Sequence, residues 1–476
     1  MNGETNQRWT VARLGDLCRV TTGKRDVNEG ASDGEYPFFT CAQKIHRINS
    51  APFDGESVLV AGNGFFNVKY YDGKFDAYQR TYVLQSFAID GKFLYHYIQF
   101  KLDDITKGNR GSTINYIRLG DLTEYGVPVP PLNEQRRIAT KLDELLSRAD
   151  VAQMRLASIP RLIKRFRQSV LAAAGSGKLT ANWREGTNDL EPALKLLTRI
   201  KQERVKRYEN ERRSATAESR RPAYNPPEFY DLPDDETLSE LPNLPEKWLY
   251  CRLENLAEVV RGASPRPAGD PRYFGGNIPW ITVAEVTKDE NIYLTQVRSF
   301  VTEEGKRRSR FIKKGTFLLT NSGATLGVPK ITKLSGCIND GSVAFVDIPL
   351  TSELFLYYFL KSQTEGLRNI DQGAAQPNLN SEIIKSIVIP LPPLAEQQEI
   401  VRRIEVLFKT ADALEARYKK AKAHVDKLTK SILAKAFRGE LVPQDPNDEP
   451  ASKLLERIRS GRVLGERPAR RKRKAS

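Results

Sequence analysis

The sequence is poor in the residues from which metal sites and nucleophilic centres are made. Its four cysteines, Cys18, Cys41, Cys251 and Cys337, are scattered with no C-x-x-C pair. That spacing gives no zinc pattern and points to reduced thiols in a cytoplasmic protein. The three histidines, His46, His96 and His424, are too few and too dispersed for a metal cluster. No candidate nucleophile is paired with a histidine, and no nuclease cluster of carboxylates and lysine stands in a convincing context, so nothing in the chain looks catalytic. No apolar run is long enough to span a bilayer, and the opening Met1-Asn-Gly-Glu-Thr-Asn-Gln-Arg8 is not a signal peptide.

Charge of one sign is what the chain has in excess. It carries a net +16 over 476 residues, a balance that commonly marks a polyanion partner, usually nucleic acid. Part of this lies in the tail Arg467-Pro-Ala-Arg-Arg-Lys-Arg-Lys474, which reads as a basic, disordered arm. The length predicts two to four domains, and 39% hydrophobic with 28% charged residues fits a soluble globular protein.

The chain also repeats itself. Shifted by 262 positions, Pro131-Leu132-Asn133-Glu134-Gln135 becomes Pro393-Leu394-Ala395-Glu396-Gln397, and without a gap Gly177 becomes Gly439. Between these points the apolar residues Ile138, Leu142, Leu145, Ala149, Ala152, Leu156, Ile159, Ile163, Phe166, Val170 and Ala173 alternate steps of four and three. The second copy keeps the register from Ile400, Ile404, Leu407, Ala411 and Leu414 to Leu428 and Ile432. A seven-residue apolar repeat of this length predicts a coiled-coil seam. Each helix would be roughly 50 Å long, and the two would pack on each other as spacers. Pro160, where the second copy has Lys422, predicts a kink near Ile159. Gly175 or Gly177, and Gly439, suit the left-handed position that ends a helix.

Before each helix lies a β-rich unit. Residues 9–130 hold short strands such as Ser57–Ala61 and Thr81–Leu84, with turns at Asp54-Gly55, Asp72-Gly73 and Asp90-Gly91 and a helix over Phe93–Leu102. Residues 248–392 echo this frame. Trp248 answers Trp9, Gly262 answers Gly23, Thr316–Leu319 answers Ser57–Val60, and the helix Glu353–Gln363 answers Phe93–Leu102. The frame recurs while its polar loops differ, which suits two sites reading two different targets. A helix over Ala193–Arg213 has its echo at Ala451–Ser460, and the proline-rich stretch 214–247 reads as a linker.

Three short motifs tempt a catalytic reading. Ala174-Gly-Ser-Gly-Lys178 lacks the first glycine and the final Ser/Thr of a phosphate loop and follows a helix, so it reads as a helix cap. Gly62-Asn63-Gly64 follows a strand but leads into β-like sequence without a third glycine. Asn225-Pro226-Pro227 is followed by Glu228 where an adenine methyltransferase would place an aromatic, and no cofactor loop precedes it.

The order unit, helix, linker, unit, helix resembles the DNA-specificity subunit of type I restriction–modification systems, of the enteric prototype subfamily, over nearly the whole chain. The residues that carry the resemblance are Pro-Pro-Leu-x-Glu-Gln at 130–135 and 392–397, Arg165-Phe166-Arg167-Gln168-Ser169-Val170-Leu171, Gly177-Lys178-Leu179-Thr180 with Trp183-Arg184, and the run Ser431 to Leu441. One departure is that Val442-Pro443-Gln444 follows Leu441 where a Thr…Trp-Arg echo would stand. The resemblance implies an α+β fold with two tandem α/β target-recognition domains separated by two long antiparallel coiled-coil helices, related by a pseudo-twofold internal repeat. The corresponding boundaries are 1–132 for the first recognition domain, 133–213 for the central helical spacer and 214–247 for the linker. The second recognition domain would be 248–394, the distal spacer 395–440, and the C-terminal helix with its basic tail 441–476.

It further implies a non-catalytic subunit that reads one half of a split DNA site with each domain and docks two methyltransferase subunits and the restriction/translocase subunits. S-adenosylmethionine, ATP and Mg²⁺ would then belong to those partners, with no cofactor or metal in this chain. Half-sites one helical turn apart lie roughly 34 Å from each other, a separation that helices of this length are able to hold. Base and backbone contacts favour Arg, Lys, Asn, Gln, Ser and Tyr on the repeated loops. The candidates are Asn63, Lys69, Tyr78, Arg80, Arg110, Ser112 and Asn115 in the first unit. In the second they are Arg266, Arg310, Asn321, Ser322, Lys330, Gln376 and Asn378. Arg165, Phe166, Phe437 and Arg438 are candidates for partner contact, with burial in the coiled coil as the other reading of both phenylalanines. Three alternatives stay open: a subunit of a methylation-only or other defence complex, a sequence-blind nucleic-acid scaffold, and a DNA-modifying enzyme acting alone.

Overall fold

A computed structural model describes residues 8–107, 115–187, 189–219, 225–369 and 379–465. The chain divides into two compact units, Met1–Ser158 with Tyr418–Ser476, and Ile159–Arg417. Each therefore holds one β-rich frame and two stretches of long helix.

In the first unit four antiparallel strands run in the order Arg19–Thr22, Thr81–Gln85, Ser57–Ala61, Val68–Tyr71. Ser57–Ala61 is buried along its whole length, because its two faces have separate covers. Val58 and Val60 point to Phe93, Leu94 and Ile98 of the helix Gly91–Ile105, while Leu59 joins Phe39, Phe75 and Ala77 on the other side. Alternation with period two sorts a continuous apolar run onto two cores. The second unit repeats the device. Phe317 and Leu319 of the strand Phe317–Thr320 face the helix Glu353–Arg368, and Leu318 faces a separate cluster with Ile281 and Ile338. Both helices start at a side-chain cap: Asp90 accepts from the Phe93 amide at 2.9 Å and Ser352 from the Phe355 amide at 3.3 Å. The matched glycines explain themselves by close approach. A Cβ on Gly23 would lie 1.8 Å from the Ala77 carbonyl oxygen, and one on Gly262 would lie 2.0 Å from that of Asn339.

Each frame is closed by its own first and last strands. Thr10–Arg13 pairs antiparallel with Gly126–Val129, and Leu249–Arg252 pairs likewise with Val388–Leu391. The repeated Glu-Gln then fastens the long helix beneath. Glu134 accepts from the Trp9 indole at 3.1 Å, and Glu396 from the Trp248 indole at 2.7 Å. Gln135 accepts from the Asp90 amide and donates to the Pro130 carbonyl, at 2.9 and 2.7 Å. Gln397 does the same with Ser352 and Pro392, at 2.9 Å each.

The two fastenings differ where the sequence departs from its own repeat. Glu396 also receives Thr180 Oγ1 at 2.6 Å and the Arg184 guanidinium at 2.7 Å. In the first unit, where the Thr…Trp-Arg echo is missing, Arg137 instead pairs with the buried Asp448 at 2.7 Å, and Arg8 donates to the Asp445 carbonyl at 2.6 Å. A different ion pair holds an equivalent segment.

Pro160 interrupts the first long helix. Leu132–Ala157 ends at Ser158 and Ile159–Gly175 begins anew, which places the proline in a first turn that needs no amide donor there. The second copy, with Lys422, runs unbroken over Leu394–Ala436. Within the first unit, Ile138 and Leu142 share a core with Ile432 and Ala436, and Gln153 donates to Asp426 at 3.1 Å, so the two segments are antiparallel. Within the second, Val170, Leu171 and Ala174 pack with Ile400, Val401 and Ile404, and Arg167 bonds Asp412 at 2.6 Å, again antiparallel. The seam is not buried throughout. Phe166, Leu414 and Leu428 sit on it yet remain 38%, 47% and 45% exposed. Gly177 and Gly439 take the left-handed conformation, φ +74° and +76°, as helix-ending glycines do.

The helix Ala193–Ala217 and the proline-rich stretch after it are fastened to the second unit. Arg204 is buried, donates to the Glu254 carbonyl, lies 3.8 Å from the Glu254 carboxylate and 3.7 Å from Asp347, and stacks on Phe229. Asn225 donates its side-chain amide to Glu258 at 2.6 Å, and Tyr230 reaches Glu382 at 2.8 Å. Asn225-Pro226-Pro227 thus docks a connection. The helix Ala451–Gly465 closes on the first unit's core through Ala451, Leu454 and Leu455. The basic arm 467–474 lies outside the described residues.

Candidate nucleic-acid interface

In the first unit four loops meet at one end of the sheet's strands. The Gly62 amide donates to the Arg80 carbonyl and the Ile117 amide to the Gly62 carbonyl, both at 2.8 Å, and the Gly64 amide donates to the Asn115 carbonyl at 3.1 Å. Asn67 Nδ2 and Lys69 Nζ reach the Cys41 and Ala42 carbonyls, each at 2.8 Å. Tyr82 ties in from the sheet, its hydroxyl donating to the Ile117 carbonyl at 2.8 Å. The result is a stiff ledge built from segments 40–44, 62–67, 78–81 and 115–118.

The ledge gathers most of the first unit's candidates. Arg80 and Asn115 are exposed, and Asn63, Lys69 and Tyr78 are half-buried. Burial holds the Lys69 ammonium below the usual lysine range, although it stays hydrogen-bonded to Ala42 and Asn67. Arg110 and Ser112 lie outside the described residues.

The second unit repeats these ties. The Asn321 amide donates to the Gly341 carbonyl at 3.0 Å, and the Leu379 amide donates to the Asn321 carbonyl at 2.8 Å. Asn321 therefore occupies the place of Gly62, and Ser322-Gly323 that of Asn63-Gly64. The two following glycines agree, with φ +72° and +67°.

This register corrects two candidates. Asn321 is 0% exposed, and its side-chain amide bonds the Leu379 carbonyl at 3.2 Å. Lys330 is 1% exposed and spends its ammonium on Asp289, 2.7 Å from the carboxylate and 2.9 Å from the carbonyl. Neither side chain is available to a base: Asn321 is spent on a backbone carbonyl, and the buried Lys330 ammonium is held by Asp289. Ser322 is half-buried at the ledge. Arg310 is exposed, and Arg266, also exposed, lies 3.5 Å from Asp340, which is already held by Ser264 at 2.5 Å. Gln376 and Asn378 lie outside the described residues.

Sequence reasoning missed aromatic residues beside these cations. Phe65 stands 64% exposed on the first ledge. Tyr116, also exposed, forms an isolated bridge with Asn63 and carries the Arg118 guanidinium over its ring. In the second unit Arg272 and Arg308 flank Tyr273, and Lys306 lies over the exposed Phe311, 4.8 Å from the ring centre. The run Lys306-Arg307-Arg308-Ser309-Arg310 was the available signal for this patch. Among the partner candidates, Arg165 and Phe166 are exposed. Phe437 is corrected: it packs against Phe93, Tyr97 and Phe100, with ring centres 5.6, 5.1 and 5.4 Å away. Arg438 is exposed and bonds Glu440 at 2.8 Å. Among the described residues no three His, Cys, Asp or Glu side chains are grouped to hold a metal.

One frame built twice, with a different polar ledge on each copy, defines a paired reader. The chain belongs to the family described as the type I restriction modification DNA specificity domain, whose model matches residues 6–161 and 245–423. It is 35% identical over 480 residues to the type I restriction enzyme EcoDI specificity subunit of Escherichia coli, covering 98% of each chain. It is 28% identical over 402 residues to the EcoKI specificity subunit of Escherichia coli K12, covering 80% of this chain and 74% of that one. Among solved structures, one of type I R-M complex assembly has a chain matching at TM-score 0.62 and 19% identity, covering 92% of this chain and 100% of that one. The HsdS subunit from Thermoanaerobacter tengcongensis matches at TM-score 0.51 and 19% identity, covering 91% and 97%. These two likenesses establish the fold.

Proposed function

We propose that this chain is the DNA-specificity subunit of a type I restriction–modification complex, each unit reading one half of a split target. The observation that carries the reading is the pair of equivalent ledges. The backbone ties of Gly62 and Asn321 are the same, while the side chains presented differ. A rigid common frame fixes where a base edge is met, and divergent loops fix which base is accepted. Asn63, Arg80 and Asn115 are assigned to the first half-site, with Lys69 and Tyr78 supporting the backbone contact. Ser322, Arg266 and Arg310 are assigned to the second. The helix surfaces around Arg165 and Phe166, with Arg438, receive the methyltransferase subunits, and restriction subunits join through them. S-adenosylmethionine, ATP and Mg²⁺ act on those partners, and the complex works in the cytoplasm. No helix among the described residues is long and apolar enough to cross a membrane.

The test is to co-express the chain with its methyltransferase subunit and map adenine methylation across a host genome. A split motif with two fixed halves and a constant gap is expected, and exchanging residues 9–130 for those of a relative should rewrite one half alone. Methylation without a split motif would sink the two-reader model. Sequence-blind, salt-sensitive binding without methylation would favour the scaffold instead.

A further inference from the structure

One large exposed side chain on the first ledge is wholly apolar. Phe65 is 64% exposed in the loop joining the strands Ser57–Ala61 and Val68–Tyr71, between Gly64 at φ +67° and Phe66, which packs on the core. The loop is not slack. Asn67 Nδ2 bonds the Phe65 carbonyl at 2.9 Å and the Cys41 carbonyl at 2.8 Å, and the Gly64 amide is tied to Asn115. An aromatic ring is therefore held out into water by a stiff hairpin. Around it the ledge is polar and cationic, with Asn63, Lys69, Arg80, Asn115 and Arg118.

We propose that Phe65 reads a thymine in the first half-site by packing on its C5-methyl group. The inference rests on the DNA-reading function proposed above. The cations fit a polyanion, and base edges are read most fully in the major groove. There thymine's methyl is the apolar group that base edges offer, so the exposed ring has one complementary target among polar readers. At the matching place, after the second left-handed glycine, the other unit has Ala324. An aromatic residue at this turn is thus particular to the first unit.

The experiment uses the complex of the full chain with its methyltransferase subunits, bound to duplexes carrying the mapped target. Each thymine of the half-site assigned to residues 9–130 is replaced in turn by deoxyuridine, which removes the methyl group alone. One position is expected to weaken binding about four-fold, the effect of exposing one buried methyl. Phe65→Ala should weaken binding to the thymine duplex and be indifferent to deoxyuridine at that position, while Phe65→Leu keeps part of the discrimination. The other half-site should be read as before by both variants, which also shows that they fold.

No deoxyuridine-sensitive position, or an equal loss in Phe65→Ala, overturns the proposal while leaving the two-reader function standing. So does a Phe65-dependent rise in 2-aminopurine fluorescence at the site, which would mark a wedge between base steps. Absence of split-site binding by the unaltered complex fails the underlying function instead.

Discussion

Glu396 is buried against an indole, a hydroxyl and a guanidinium, and Arg184 is the positive charge that matches it. Removing one partner of a buried ion pair costs about 3–5 kcal/mol because the other is left uncompensated. Glu134 has the indole but no Arg184 counterpart, and burial raises its pKa. Glu396→Ala should therefore lower the melting temperature of the second unit more than Glu134→Ala lowers that of the first, in calorimetric scans of the two variants. The carboxylates around Arg204 give a pH dependence. Burial pushes Glu254 up to about 7 from the ordinary value near 4.5, and it raises Asp347 and Glu258 in the same direction. A carboxyl whose folded pKa is raised binds more protons folded than unfolded. Its contribution is complete below about pH 4.5 and is lost as pH rises through about 7. For Glu254 that is on the order of 3 kcal/mol. The second unit should melt several degrees higher at pH 6 than at pH 8, and Glu254→Gln should flatten the difference.

Among the elements, the end of the helix Leu394–Ala436 is packed into the first unit. Phe437, just past it, is ringed by three aromatic side chains of that unit. Phe437→Ala should cost about 3 kcal/mol and lower the first unit's transition while leaving the second unchanged, a difference visible by hydrogen exchange. Element identity was largely legible in the sequence. The seven-residue spacing announced the long helices, Pro160 announced the break in the first, and the matched glycines marked backbone crossings. What the spacing could not tell was which seam positions are covered. Phe166 and Leu428 carry the same period as Ile138 and Ile404, and burial depends on what packs opposite. Strand pairing was equally hidden, since Thr10 meets Val129 across 119 residues of sequence. At the site, polar type alone predicted Asn321 and Lys330 as readers. Their burial follows from tertiary hydrogen bonding that no local pattern reveals, and Phe65 carries no polar group to mark it as a reader.

For the whole molecule, the repeat means that one solution to folding serves two readings. The ties of Gly62 to Arg80 and Ile117, and of Asn321 to Gly341 and Leu379, keep the ledges alike while their side chains vary. The fastenings beneath differ, with Arg184–Glu396 in one unit and Arg137–Asp448 in the other, so each segment has its own lock. The closing strands carry a consequence for heredity. Because Thr10 lies beside Val129 and Leu249 beside Leu391, the chain enters and leaves each reader at points about 5 Å apart. Two genetic crossovers at those points would transplant a complete vocabulary into an unchanged grammar. A lineage carrying this gene could change the words it recognises by such an exchange, provided the incoming reader keeps the ring contacts that hold Phe437.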